Sequence, residues 1–349
     1  MSDTASTGLI VFGEALLDDF PDRQVVGGAP LNVARATASL GCAPLMITRI
    51  GHDANALLVR DEMQRFGLDQ SGVQTDAVHP TGVVQVHVAA DAHRFEIMPE
   101  QAYDYIDGAQ AVLAAERYMT GRQGAQQGAQ QGTQRLALVY YGTLAQRNTT
   151  SQETLIRLLS ASHGIHYLDL NLRDGQYSFD TIATSLLHAD ILKVNEDELQ
   201  LLLQTYRPGA ARLSVSLTDQ NTVDAFFAAL KYLQLLFKLS AVIVTLGARG
   251  YMYLNAQGVS LNGWQAESQL HPVAPEVVDT VGCGDAFSAV FLAGLMHAWP
   301  IDVTLQRAHA FAASVCTIRG AVSTDLNFYR DWQSDWGLHD NAETSAGQR

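Results

Sequence analysis

Residues able to do chemistry concentrate late in the chain. Val277-Val278-Asp279-Thr280-Val281-Gly282-Cys283-Gly284-Asp285-Ala286-Phe287 sets two glycines around a small residue, follows them with an aspartate, and runs straight into the apolar segment 288–298. Helical spacing of Phe287, Val290, Phe291, Gly294 and Leu295 predicts a buried helix opened by a glycine-rich turn. The first N–H groups of a helix have no internal partner and carry about half a positive charge, so such a turn can hold phosphate oxygens. Gly282 and Gly284 permit close approach of a ligand to the backbone. A carboxylate at Asp285 would repel phosphate unless it has another task, and accepting the proton of an attacking hydroxyl is one. An ordinary N-terminal cap would use the same residue types.

Polar groups also gather where apolar runs end. Asp169-Leu170-Asn171-Leu172-Arg173 closes one run, and a period of two would send Asp169, Asn171 and Arg173 to one side, unless Asp169 and Arg173 simply pair. In Lys193-Val194-Asn195-Glu196-Asp197-Glu198, the residues Asn195 and Glu198 bracket a helix start, an arrangement that a structural cap also explains. Thr245-Leu246-Gly247-Ala248-Arg249-Gly250 closes a third run with a glycine-flanked loop. Recurrence at successive strand ends predicts one shared cleft. The sequence lacks G-x-x-x-x-G-K-[ST], G-x-G-x-x-G, H-E-x-x-H and G-x-S-x-G, and its 11 histidines show no metal-ligand spacing.

These groups need elements to position them. Strands are expected over 9–12, 45–50, 136–140, 165–170, 191–194 and 241–246, and helices over 31–41, 55–66, 151–162, 197–205, 222–239, 284–298 and 303–318. Apolar strands alternating with helices predict an α/β unit spanning 1–349, its parallel sheet covered on both faces. Two stretches depart from that rhythm. Residues from about 15–27 and 82–98 look extended and half polar, and are expected to pair into a small sheet acting as a lid, with separate surface hairpins as the alternative. The Gly-Ala-Gln repeats within 121–134 are expected to be a mobile insertion, and 331–349 a polar C-terminal tail.

Composition narrows the partners. The chain has 349 residues, 47% hydrophobic and 17% charged, and a net charge of −14 with only 22 scattered basic residues, which argues against nucleic acid or an anionic membrane. No apolar run approaches 18 residues and the first eight show no secretory pattern, so a cytoplasmic protein is expected. Cys42, Cys283 and Cys316 are odd in number and far apart, and are expected to be reduced core thiols, with no disulfide framework or structural zinc.

Gly27-Gly28-Ala29-Pro30-Leu31-Asn32-Val33-Ala34, with Gly41 and Gly51 following, together with Asp279-Thr280-Val281-Gly282-Cys283-Gly284-Asp285, resemble the two signatures of the ribokinase-like (PfkB) carbohydrate kinases over about residues 9 to 322. Gly13-Glu14-Ala15-Leu16-Leu17-Asp18 is most similar to fructokinases within that family. The resemblance implies a three-layer α/β/α sandwich with a mainly parallel central sheet and a small β-sheet lid. It implies transfer of the ATP γ-phosphoryl group to a sugar, with fructose favoured and 2-keto-3-deoxygluconate, ribose or a nucleoside as alternatives. By motif match, Asp285 is the base, and the N–H groups of Gly282, Cys283 and Gly284 form the anion hole. Asp18, Gly28 and Asn32 would bind the sugar, with Arg173 near the transferred phosphate. Asn195 and Glu198 would organise Mg²⁺ through water, Thr245, Gly247 and Gly250 would hold the nucleotide, and Asp279 lies where many members bind a monovalent cation such as K⁺. Two residues depart from the pattern: Cys283 stands where Ala or Gly is usual, which could narrow the site or sensitise it to oxidation, and Val290 where Gly is usual. A homodimer through the lid edges is a further expectation. A sugar-sensing protein on the same scaffold, and a nicotinamide-dependent oxidoreductase, are the readings from other classes.

Overall fold

The computed structural model describes residues 8–89, 92–124, 137–207, 209, 213, 220–263 and 277–338. In chain order the elements are β1 (Gly8–Phe12), β2 (Leu16–Asp19), β3 (Gln24–Gly27), α1 (Ala29–Ser39), β4 (Leu45–Ile50), α2 (Ala54–Arg65), β5 (Val73–Thr75), β6 (Gly82–Ala89), β7 (Ala92–Ile97) and α3 (Gly108–Gly124). After the repeats come β8 (Ala137–Tyr141), α4 (Thr149–Ala161), β9 (Gly164–Asp169), α5 (Phe179–Leu187), β10 (Ile191–Asn195), α6 (Glu196–Tyr206), α7 (Gln220–Phe237) and β11 (Ala241–Thr245). The chain closes with β12 (Tyr251–Asn255), β13 (Ser260–Asn262), α8 (Cys283–Met296), α9 (Ile301–Val315) and α10 (Asn327–Asp335).

Among the described residues, nine strands form the main sheet in the order β13-β12-β11-β10-β9-β8-β1-β4-β5. Pairing is parallel from β11 through β5, and β12 and β13 join antiparallel at one edge. Alternation along β1 explains the layering: Ile10 and Phe12 enter one core and Leu9 and Val11 the other. Leu155, Ile182, Leu199 and Phe226 cover the first face from α4, α5, α6 and α7, while Leu31, Val59, Phe291, Leu305 and Tyr329 cover the second from α1, α2, α8, α9 and α10. The expected three-layer architecture is therefore present. Strand order reverses between β1 and β8, which opens a crevice beyond their carboxyl ends.

β2, β3, β6 and β7 form a second, four-stranded sheet in the order β3-β2-β6-β7. The two extended stretches thus join one sheet rather than standing as separate hairpins, with β2 and β6 running parallel.

Several elements escaped the sequence reading. β5, β12 and β13 are three to five residues long, and α5 follows a polar loop with little periodicity. α3 runs into the first unit of the Gly-Ala-Gln repeats, whose remainder from 125 lies outside the described residues. Residues 331–338 are not a free polar tail: α10 extends to Asp335, and Trp332 and Trp336 pack on Phe311 with ring centroids 5.7 and 6.1 Å away. Residues 339–349 lie outside the described residues.

Phe311 touches Phe328, Tyr329, Trp332 and Trp336 at once and is fully buried. Phe311→Ala should destabilise the protein by about 3–5 kcal/mol in urea unfolding, through lost burial and the cavity left behind.

Candidate active site

α8 starts from Gly282, whose φ of 79° lies in the left-handed region. A Cβ there would lie 2.2 Å from the Ala321 Cβ, so both backbone conformation and space demand glycine. The first turn carries Asp285, which is buried, and α8 stays buried from there through Gly294. Val290 is fully buried in the core between helices and sheet, so the departure at this position is absorbed by packing.

Asp285 meets a residue 253 positions earlier: Asn32 Nδ2 donates to its Oδ2 at 2.8 Å. Asn32 sits in the first turn of α1, which starts at Gly28 with φ 102° and Pro30 just inside. Arg35 Nη2 donates to Asn32 Oδ1 at 2.6 Å, and Arg35 Nη1 pairs with Glu62 at 2.9 Å. Asn32 is thus held from behind with its amide directed at the carboxylate. Burial pushes the Asp285 carboxyl up to about 6; the Asn32 bond, Lys193 and Arg173 pull it down, and the charge of Asp169 pushes it up. Ionisation of Asp285 prevails at neutrality, though with a smaller margin than a helix terminus alone would confer.

Two further acids lie in the same field. Glu14, directly after β1, is buried and its carboxyl is pushed up to about 7 by desolvation, opposed by backbone N–H groups and Arg173. Asp18 on β2 faces Gly27, where a Cβ would lie 2.8 Å from its Oδ2, and burial pushes it up to about 6 against Arg173 and Arg35. Arg173 itself is exposed in the loop after β9, near enough to act electrostatically on Glu14, Asp18 and Asp285.

At the next strand end, Asn195 and Glu198 form a reciprocal cap. Glu198 N donates to Asn195 Oδ1 and Asn195 N to Glu198 Oε2, each at 2.9 Å, while Leu172 N donates to Glu198 Oε1 at 2.8 Å. The structural explanation of this pair therefore holds, and any further task uses the carboxylate lone pairs that remain. Thr245 is the register partner of Asn195, and Gly247 and Gly250 bound the short turn after β11 with φ of 59° and 107°. Asp279 lies in the turn before α8: its Oδ1 accepts from Val281 N and its Oδ2 from Gly320 N, both at 3.0 Å.

Three sequence expectations change. β9 ends at Asp169 and Asn171 takes φ 42°, so the two-residue alternation does not continue to Arg173. Asp169 pairs with Lys193 rather than with Arg173, because β9 and β10 place those two side by side in register. Cys283 and Cys316 are joined as a disulfide, with Cα atoms 6.1 Å apart, because the segment at 316 returns beside the α8 turn, where Val278 N and Asp279 N bond Cys316 O. Their separation of 33 residues hid that approach. Cys42 is buried elsewhere.

Sequence reasoning missed Glu14 and Lys193 as members of the cluster. Glu14 was visible as an acid immediately after a buried strand, whereas nothing local marked Lys193. A cavity of about 390 Å³, lined in part by Pro99, Glu100, Arg147, Gln176 and Tyr177, opens beside the loop that carries Arg173. Among the described residues no group of three or more His, Cys, Asp or Glu could hold a metal ion, and no helix is long and apolar enough to cross a membrane.

A family model described as pfkB family carbohydrate kinase matches residues 19–327. A fructokinase of Klebsiella pneumoniae is 26% identical over 339 residues, covering 93% of this chain and 97% of that protein. An aminoimidazole riboside kinase of Salmonella typhimurium is also 26% identical, over 90% of each. Among solved structures, aminoimidazole riboside kinase from Salmonella enterica, complexed with aminoimidazole riboside and an ATP analogue, superposes with TM-score 0.70 at 23% identity over 94% of this chain and 99% of that one. Fructokinase from Vibrio cholerae, bound to fructose, ADP and calcium, gives 0.68 at 22% over 93% and 96%.

Two outcomes follow from the geometry. Gly282→Ala should unfold at markedly lower temperature, since the left-handed backbone costs about 1–2 kcal/mol and the Ala321 contact adds to it. Glu14, Asp18 and Asp285 all titrate higher folded than unfolded, so between about pH 4 and 7 their contribution to unfolding free energy falls as pH rises, whereas His188, His297 and His309, held below the usual histidine range by burial, contribute in the opposite direction. Glu14→Gln should therefore make the change in melting temperature from pH 5.5 to pH 8 more positive than in the wild type by calorimetry.

Proposed function

We propose that this chain, which belongs to the pfkB family of carbohydrate kinases, transfers the γ-phosphoryl group of ATP to a hydroxyl of a small sugar, with fructose the preferred acceptor and fructose 6-phosphate the product. The observation that carries this reading is the buried Asp285 carboxylate in the first turn of α8, bonded by Asn32 from the other end of the chain. Phosphoryl transfer needs position and charge neutralisation more than covalent help, and a helix N-terminus beside an oriented carboxylate supplies both.

In this reading the sugar lies between the small sheet and the main sheet, held by Asp18, Gly28 and Asn32. Asp285 takes the proton of the acceptor hydroxyl, that oxygen bonds to the γ-phosphorus, and the bond to the departing ADP oxygen breaks. The N–H groups of Gly282, Cys283 and Gly284 receive the phosphoryl oxygens, and Arg173 adds charge from the β9 loop. Cys283 is compatible with this task, since its sulfur is directed to Cys316 and only its backbone is required. Thr245, Gly247 and Gly250 would border the nucleotide. The small sheet over the cleft would limit the water that competes for the phosphoryl group.

Mg²⁺ fits the donor set in an outer-sphere role. Each Glu198 oxygen accepts one backbone bond and keeps a lone pair, which suits a cation that retains its waters. Bound with ATP, Mg²⁺ would neutralise phosphate charge beside Glu198 and Asn195. Asp279 ties the Val281 and Gly320 turns together, and K⁺ bound there would stiffen the same pair of turns.

Likeness to an aminoimidazole riboside kinase supports a second reading, a riboside acceptor. A coupled ADP-release assay over fructose, ribose, 2-keto-3-deoxygluconate, aminoimidazole riboside and adenosine separates the two. Fructose should give the highest kcat/KM; a riboside in first place favours the second reading, and no turnover with any acceptor would leave a sugar-sensing role. Asp285→Asn should lower kcat by about 10³-fold or more while sugar binding survives in calorimetric titration. Wild-type kcat/KM should rise with pH through about 6 as Asp285 ionises.

A further inference from the structure

Lys193 takes no part in the reading above, yet it is a buried cation at the site. Its side chain is 7% exposed and that of Asp169 1%, with Nζ 2.9 Å from both carboxylate oxygens. A buried pair is held well only when its remaining polar capacity is also satisfied. Asp169 meets that condition: Ser288 Oγ, one turn beyond Asp285 on α8, donates to it at 2.8 Å, and the Tyr140 hydroxyl at 3.4 Å. Lys193 does not. An ammonium has three donors, the carboxylate uses at most two, and the third has no partner among the described residues.

The ammonium lies directly under the first turn of α8. A Cβ on Gly284 would stand 3.1 Å from Nζ, so the second glycine of the turn leaves room for the lysine as well as for a ligand. Lys193 also acts electrostatically on Asp285 and on Glu198. A cation at the positive end of a helix opposes the macrodipole. Its presence there makes physical sense when the same turn is built to carry an anion.

We propose that Lys193 is a positioning residue for phosphoryl transfer: clamped by Asp169 beneath Gly284, it seats the first turn of α8 and adds buried positive charge where negative charge develops in the transition state. This rests on the reading of the α8 turn as the phosphoryl site. A fixed charge of this kind is felt most as the reaction proceeds, so its removal lowers kcat more than it raises KM.

The test compares Lys193→Met with the double variant Lys193→Met, Asp169→Asn, which removes the ion pair without stranding a buried carboxylate. Lys193→Met should lose about 10²-fold in kcat with KM for ATP and sugar within about threefold. The double variant should melt close to wild type and still lack that kcat. Recovery of wild-type kcat in the double variant would reduce Lys193 to a counter-ion for Asp169 and overturn the proposal, as would a loss confined to KM. Failure of both variants to fold assigns the lysine to the fold alone and overturns it too. The premise is read out separately: an active Asp285→Asn, or a wild type that phosphorylates no acceptor, undoes the assignment of the α8 turn whatever Lys193 does.

Discussion

A carboxylate buried at the positive end of a helix is the interaction on which the rest of this structure depends. Desolvation drives Asp285 toward its neutral form, and the charge of Asp169 pushes the same way. The Asn32 amide, Lys193 and Arg173 oppose this. The balance leaves a group that titrates near 6, ionised at neutrality yet basic enough to accept a proton. No one element could set that balance. It draws on α1, the loop after β9, β10 and α8 together.

α8 is buried along most of its length. In the proposed mechanism its first turn needs close placement, which a helix lying loosely on a surface would not have. Here it is buried from Asp285 to Gly294, and Gly294 brings Thr304 of α9 so close that a Cβ would lie 2.4 Å from its Cγ2. The aromatic cluster of Phe311, Phe328, Tyr329, Trp332 and Trp336 holds α9 and α10 behind it. Cys283 and Cys316 join the start of α8 to the end of α9 directly. In the proposed mechanism that bridge touches the anion site only through the backbone it restrains.

Position in the main sheet explains why these groups meet. The order of strands reverses between β1 and β8; the loops that leave β1 and β9 carry Glu14 and Arg173, and the last residues of β10 and β11 are Asn195 and Thr245. The small sheet brings Asp18 toward the same field through β2, whose two neighbours β3 and β6 lie on opposite sides of it. Burial of Glu14 and Asp18 raises both carboxyl groups. A polyhydroxylated ligand could satisfy them through hydrogen bonds in either protonation state.

The alternation of strands and helices, the start of α8 at a glycine pair, and the extended character of the four small strands could be read from the residues alone. Each of these rests on local causes: hydrophobic period, turn chemistry, or the need of one residue for a left-handed backbone. β4 was predicted residue for residue because its apolar run is bounded sharply by Pro44 and Gly51. Short edge strands and α5 were not, since three to nine residues carry too little periodicity to stand out. Which charged groups became partners was set by packing in three dimensions. Asp169 joined Lys193 instead of Arg173, Cys283 joined Cys316, and Asn32 reached Asp285 across 253 residues. Strand register and helix packing set those pairings, and the energy of a buried charge depends on what lies within a few ångströms of it in space, which spacing along the chain does not record.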